Sequence, residues 1–251
     1  MHVHPSVRGQ SFEPIEPSIR QIELQGLASG TTYTVGLVAV TADGTSPAVL
    51  RTFGGTSLRV RWPESVVYGS SPRLRGSLVG STGSPVAGRT VRLLRRAGSS
   101  GRWETVVKDR TGSTGGFALP TSAPARRAVS YAVVFGGGGS LMGARTPAHR
   151  VPVRQQVTLA VDPGDRTLRV GETAVFRGEV RPARSGSVTL QRRRADGGWR
   201  AVDRARLAAG GFVLSARMPD RRPSAWRVVV GPRPGAGLVT GTSRVVTLRA
   251  P

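Results

Sequence analysis

The stretch Val91–Val106, VRLLRRAGSSGRWETV, has a second copy at Val188–Val202, VTLQRRRADGGWRAV. Each copy reads as a strand, a turn and a returning strand. Val91 and Leu93, like Val188 and Leu190, alternate with residues that can face water, which is the period of a half-buried strand. A pair of arginines follows in both, Arg95-Arg96 and Arg192-Arg193. A Gly-containing turn comes next, and Trp103 or Trp199 opens the return strand. The two tryptophans are 96 positions apart, so much of the chain reads as one β-rich unit in tandem.

The match extends outward from the hairpin. Gly69 and Gly76 correspond to Gly171 and Gly178, with Leu74 where Phe176 stands. Gly116-Phe117 corresponds to Gly211-Phe212, and Tyr131-x-Val133 to Trp226-x-Val228. The main length change falls before the hairpin, where Ser81–Gly88 has a shortened counterpart around Pro182–Gly186; scaffolds tolerate length changes in turns. Each unit offers short runs separated by Gly, Pro, Ser and Asp. None shows sustained helical spacing, so the expected fold class is all-β, with sandwich domains over 56–153 and 154–251.

The aromatic residues Phe117, Phe212, Tyr131 and Trp226 are expected to be structural. Trp103 and Trp199 are expected in the core. Each lies three residues before a valine, Val106 or Val202, and positions three apart in a regular strand face opposite sides. Either a bulge re-aims one of the pair, or the Trp sits on the outer face and stacks with Arg95 or Arg192.

The chain has 251 residues, no cysteine and a net charge of +23. Without disulfides each domain must rest on its own apolar core. Residues 1–55 carry a net charge of −1, while 56–153 and 154–251 carry +12 each. Lys108 is the sole lysine and asparagine is absent; that bias toward GC-rich codons explains Arg in place of Lys. It does not explain the excess of base over acid, which attracts polyanions at long range. The densest basic run is Gln191–Arg194, with Arg95 and Arg96 in the looser counterpart. Arg192, Arg193, Arg194, Arg95 and Arg96 are therefore the candidate polyanion contacts.

Catalytic chemistry finds little support. The only imidazoles are His2, His4 and His149, and no G-x-S-x-G elbow or phosphate-binding Lys loop is present. Gly136–Gly139 reads as a loop tip between strands. The Asp162–Asp165 spacing suits a turn better than a calcium loop. The reading is a non-enzyme with no cofactor and no metal. His2-x-His4 lacks a third ligand nearby. No apolar run is long enough to span a membrane, and the start lacks the pattern of a signal peptide.

Upstream of the repeats, residues 1–20 read as a loose arm or as strands whose partners lie outside the chain. Ile22 and Leu24 alternate along one strand. Tyr33, Val35, Leu37 and Ala39 share a face of the next, and Ala48–Phe53 returns after an Asp43-Gly44 turn. Leu27, Gly30 and Tyr33 form L-x-x-G-x-x-Y, followed by the run TVGLVAV and the exit DGTSP. Residues 21–55 thereby resemble the second half of a fibronectin type III domain. The resemblance implies that Tyr33 is the corner tyrosine, whose hydroxyl bonds back to the backbone between strands E and F. Only strands E, F and G are evident, so the module 1–55 is expected to be incomplete. Either the chain begins inside a domain, which is the favoured expectation, or residues 1–20 improvise an edge. Val35 and Leu37 are then left partly uncovered.

The later units, on V-x-L-x-R-R, W-x-x-V, G-F and the aromatic-x-V-V run ahead of Gly136 and Gly231, resemble the bacterial Ig-like domains strung along secreted and cell-surface proteins. That resemblance implies an extracellular or cell-surface location. It also implies a non-catalytic role in spacing, display or adhesion, with an anionic wall polymer or polysaccharide as partner. One alternative is an accessory region of a polysaccharide-degrading or wall-lytic enzyme. Another is non-specific polyanion binding through the Arg-rich faces; no motif for sequence-specific nucleic-acid reading is present. Neither the ligand nor the oligomeric state is readable from the residues.

Overall fold

The structure, a computed structural model, describes residues 27–98, 100–121, 124–162 and 168–249, and the backbone of 2–7 and 10–11. Among the described residues the one helical element is a single 3-10 turn at Pro234–Ala236; everything else regular is strand. The chain divides into two compact units. One comprises Met1–Trp62, Arg73–Ser122 and Ser130–His149; the other comprises Pro63–Pro72, Ala123–Val129 and Arg150–Pro251.

In the first unit an N-terminal sheet is built from β1 (His2–Val7), β2 (Gln10–Ser11), β3 (Tyr33–Thr41), β4 (Gly44–Thr45) and β5 (Val49–Phe53). β1 runs antiparallel to β3, with His4 opposite Val38 and Val7 opposite Val35. The loose-arm expectation is therefore corrected: the start of the chain is a strand, and its partner lies within the chain. The extended β-branched run of β3 offers a full ladder to it. β5 returns along the other side of β3, with Tyr33 opposite Phe53 and Leu37 opposite Val49. Val35 is half-buried, while Leu37, Val49 and Leu50 are 40%, 63% and 65% exposed. The expected strand at Ile22 and Leu24 lies outside the described residues.

The same unit holds two further sheets from the first repeat. One has the order β11 (Gly116–Pro120), β8 (Arg73–Gly80), β6 (Thr56–Arg61). The other has the order β10 (Glu104–Arg110), β9 (Thr90–Arg96), β12 (Val129–Phe135), β13 (Ala144–Arg145), and β14 (His149–Val151), where the chain leaves this unit, pairs with β12. The core alternates as the apolar pattern requires. Leu74, Leu78, Phe117 and Leu119 are buried on the first sheet, and Val91, Leu93, Tyr131, Val133 and Phe135 on the second. The Gly136–Gly139 segment is a tight turn, closed by paired bonds between Gly138 and Leu141. It docks on Gly54, whose N–H donates to Ser140 O at 2.6 Å.

The second unit repeats the plan. β16 (Gln156–Val157), β17 (Ala160–Asp162) and β21 (Gly211–Arg217) pair with β18 (Thr173–Arg181). β20 (Trp199–Arg206), β19 (Ser187–Arg193) and β22 (Ser224–Val230) form the other layer, with β24 (Gly241–Thr242) and β25 (Val246–Leu248) on β22. A small parallel sheet in this unit joins β7 (Val66–Val67), β15 (Val153–Arg154) and β23 (Leu238–Val239). One continuous core links the layers: Phe176, Phe212 and Leu214 from the first, Val188, Leu190, Trp226 and Val228 from the second. Phe176 and Trp226 pack with ring centroids 5.3 Å apart. Gln155 is the large buried polar side chain, and it is fully partnered. Its amide donates to Gly231 O at 2.7 Å and to Val239 O at 3.3 Å, and its Oε1 accepts from Arg184 Nη1 at 2.8 Å.

The duplication holds at the level of individual cross-strand pairs. Leu74 faces Leu119 as Phe176 faces Leu214, and Gly76 faces Phe117 as Gly178 faces Phe212. Leu93 faces Val133 as Leu190 faces Val228. Gly76 and Gly178 are glycine for clearance. A methyl on either would lie 2.5–2.6 Å from the Cζ of its phenylalanine partner, so the ring occupies the space a side chain would take. Gly115 and Gly210, just before the G-F pairs, have positive φ of 72° and 91° and carbonyls that accept from Leu78 and Val180. That geometry needs glycine.

Candidate functional site

The arginine doublets decide what the surface can do, and a strand cannot put neighbouring side chains on one face. Arg95 and Arg192 share the inward parity of Leu93 and Leu190, at the end of the core. Arg95 lies opposite Tyr131 in register and bonds Glu104 Oε2 at 3.4 Å. Arg192 lies opposite Trp226, with its guanidinium carbon 6.0 Å from the ring centre. In each repeat the first arginine of the doublet therefore closes the core over the aromatic of the facing strand. Burial of the Tyr131 phenol pushes its pKa up, and the charge of Arg95 partly offsets that rise.

The second arginines point the other way. Arg96 lies over Trp103, 4.7 Å from the ring centre, and Arg145 joins it at 5.0 Å. In the second repeat Arg193 is opposite Trp199 in register, and the guanidinium over that ring, at 4.0 Å, is Arg227. Burial lowers the Arg227 pKa, and its Nε donates to Gln191 Oε1 at 2.9 Å.

Trp103 and Trp199 are thus not in the core, and the core expectation is corrected. Both are half-buried on the outer face of their sheets. The reason is a β-bulge at the same place in both hairpins. Thr105 pairs with Leu94 and Val107 with Leu93, leaving Val106 without an opposite number; Ala201 pairs with Gln191 and Asp203 with Leu190, leaving Val202 likewise. The extra residue lets tryptophan and the later strand keep different parities. The expected stacking partners, Arg95 and Arg192, are replaced by Arg96 with Arg145, and by Arg227. The large aromatic in the core of the second repeat is Trp226, 1% exposed.

Within each repeat the candidate polyanion contacts do not share one face. Arg95 and Arg192 face the core ends, Arg96 and Arg193 the outer faces, and Arg194 lies in the hairpin turn, where its N–H donates to Gly198 O. The outer face of the β10-β9-β12-β13 sheet gathers different cations. Lys108 is opposite Arg92, Arg92 opposite Val134, and Val134 opposite Arg145, a row across all its strands.

Of the structural polar residues, Tyr33 was expected from the sequence and several others escaped it. Tyr33 is buried, and its hydroxyl accepts a bond of 2.9 Å from the Ala28 N–H, five residues upstream, the contact expected of a corner tyrosine. Asp109 and Asp203 were unnoticed. Each carboxylate accepts from the next residue's N–H and from an N–H of the facing strand, at Ala118 and Ser215 respectively, all at 2.7–2.8 Å. Thr146 and Ser243 play matching parts: each N–H donates to, and each hydroxyl accepts from, Val133 or Val228. Only the recurrence of short polar residues after β13 and β24 hinted at them.

No group of three or more His, Cys, Asp or Glu side chains able to hold a metal is present among the described residues. In the second unit a shallow cleft of about 650 Å³ is lined by Thr158, Arg177, Glu179, Arg206 and Phe212 among others. No helix among the described residues is long and apolar enough to cross a membrane. No protein-family model matches the chain, and no curated protein matches it.

Proposed function

We propose that the chain is a run of non-catalytic β-sandwich modules, 1–55, 56–153 and 154–251, from an exported bacterial surface protein, where it spaces, displays or anchors. The supporting observation is the duplication in register: the same Gly–Phe pair, the same bulge and the same hydroxyl bridge recur in both repeats. A scaffold copied with its internal packing intact provides length and rigidity, and the cores are filled by the chain's own side chains. The Tyr33 hydrogen bond supports a fibronectin-like character for the first module.

Two assays on the full chain and its host test the reading. Purified protein incubated with peptidoglycan and with acidic and neutral polysaccharides is expected to release no reducing ends above buffer; sustained release would contradict it. Fractionation of the producing cells is expected to find the protein in the wall or medium. Confinement to the cytoplasm would overturn it.

A further inference from the structure

We propose that the outer face of the β10-β9-β12-β13 sheet binds an acidic polysaccharide through Arg92, Arg96, Lys108 and Arg145, with Arg96 and Arg145 lying over Trp103. The cross-strand row Lys108–Arg92–Val134–Arg145 puts cations on neighbouring strands, Lys108 directly opposite Arg92. Like charges placed so oppose folding. No ion pair relieves them among the described residues, whose salt bridges are Arg95–Glu104, Arg177–Asp162 and Arg181–Glu179. The acids of these strands are turned elsewhere. Glu104 is opposite Arg95, and Asp109 is spent on backbone N–H groups of Arg110 and Ala118. The face is therefore uniformly positive at short range as well as in net charge.

The second repeat arrives at the same surface with other residues. Arg204 and Arg206 lie opposite Thr189 and Ser187, and Arg193 opposite Trp199, with Arg227 over that ring; Asp203 again bonds backbone N–H groups. Two copies that share so few of these exact residues keep a tryptophan under guanidinium groups on an acid-free face.

The ligand class follows from what is left free. Guanidinium groups already lie over the Trp103 ring, so it offers no platform for stacked bases, the usual device of single-strand binders. What remains is a flat row of N–H donors on strands spaced about 4.8 Å apart. Guanidinium forks pair best with carboxylate or with phosphate, whose tetrahedral oxyanion geometry sulfate shares. Such groups repeat along an acidic polysaccharide, which can lie flat on a sheet. The inference rests on the surface-module reading only for where the polymer comes from; binding by purified protein is measured independently of location.

The test is calorimetric titration of the full chain at about 150 mM salt with heparin as the sulfated probe, polygalacturonate as the carboxylated probe and a single-stranded oligo-dT. The variant is R92S/K108S/R145S. The control, R59S/R73S/R75S, removes equal charge from exposed positions on β6 and β8. The expected result is binding of at least one polysaccharide, weakened about tenfold or more by the face variant and much less by the control. The probe bound identifies sulfate or carboxylate as the recognised group. Equal losses in both variants, no polysaccharide binding by the wild type, or oligo-dT bound as tightly as either polysaccharide would overturn the proposal. Thermal melts verify folding, and Arg145→Ser alone serves if the triple variant does not fold.

Discussion

Replacing Gly178 by alanine puts a methyl where the structure has no room. Its carbon would lie 2.2 Å from Thr158 O and 2.6 Å from the Phe212 Cζ. The ring can swing, but the carbonyl belongs to backbone that bonds Glu179 across the sheet edge, Thr158 N–H donating to Glu179 O at 2.9 Å. Relief therefore needs strand movement. Overpacking of this kind costs about 1–3 kcal/mol, and the backbone clash places Gly178→Ala near the upper end. For a domain of roughly 100 residues that lowers the melting temperature by roughly 10–20 °C. Gly76→Ala should do the same to the first unit, its methyl 2.5 Å from Arg59 O and 2.5 Å from Phe117 Cζ. Calorimetry of the full chain reads both. Adding Phe212→Leu to Gly178→Ala relieves the ring contact and leaves the carbonyl contact, so the pair should show a coupling of about 1 kcal/mol with incomplete recovery. An open strand glycine gives the opposite sign, since alanine there stabilises by about 0.5–1 kcal/mol. An unchanged or raised melt for Gly178→Ala would refute the packing argument.

Three other predictions follow from single contacts. Tyr33→Phe removes the acceptor of the Ala28 N–H and should cost about 1 kcal/mol in a urea titration; an unchanged midpoint would contradict the corner role. Trp103→Ala should cost about 1–2 kcal/mol, the scale of a half-exposed ring with cation–π contacts, against about 3–5 for a buried tryptophan; thermal melts distinguish the two. Tyr131 has a folded-state pKa raised by burial, so its contribution is whole below the unfolded value near 10 and fades as pH rises through the folded value. Stability should fall by up to about 1.4 kcal/mol per pH unit from about pH 10 up to the folded value and level off beyond it, and Tyr131→Phe should flatten this slope in alkaline denaturation curves.

The fold was legible because its signals are periodic. Val91 and Leu93, with Val188 and Leu190, alternate as half-buried strands must, and all of them are buried. Gly76 and Gly178 sit in equivalent register, each beside a phenylalanine ring and a carbonyl that leave no room for a methyl. What stayed hidden depended on parity across a bulge. The spacing of Trp103 to Val106 signalled a conflict, yet it did not say which residue would leave the ladder. Each arginine doublet read as part of a basic run because sequence adjacency hides that alternate positions face opposite sides. The outer-face group of Arg92, Lys108 and Arg145 comes from three strands, and only the register brings it together. The strand His2–Val7 escaped because prolines and weak periodicity mask a partner that lies some thirty residues downstream.

The duplicated scaffold is tested most directly by the proton chemical shifts of Gly76 and Gly178 in the assigned spectrum of the full chain. Each glycine packs against a phenylalanine ring, Phe117 or Phe212, so both should have Hα resonances moved upfield by ring currents, with cross-peaks to those ring protons. Glycine Hα shifts at ordinary strand values, or cross-peaks in one repeat only, would contradict the account.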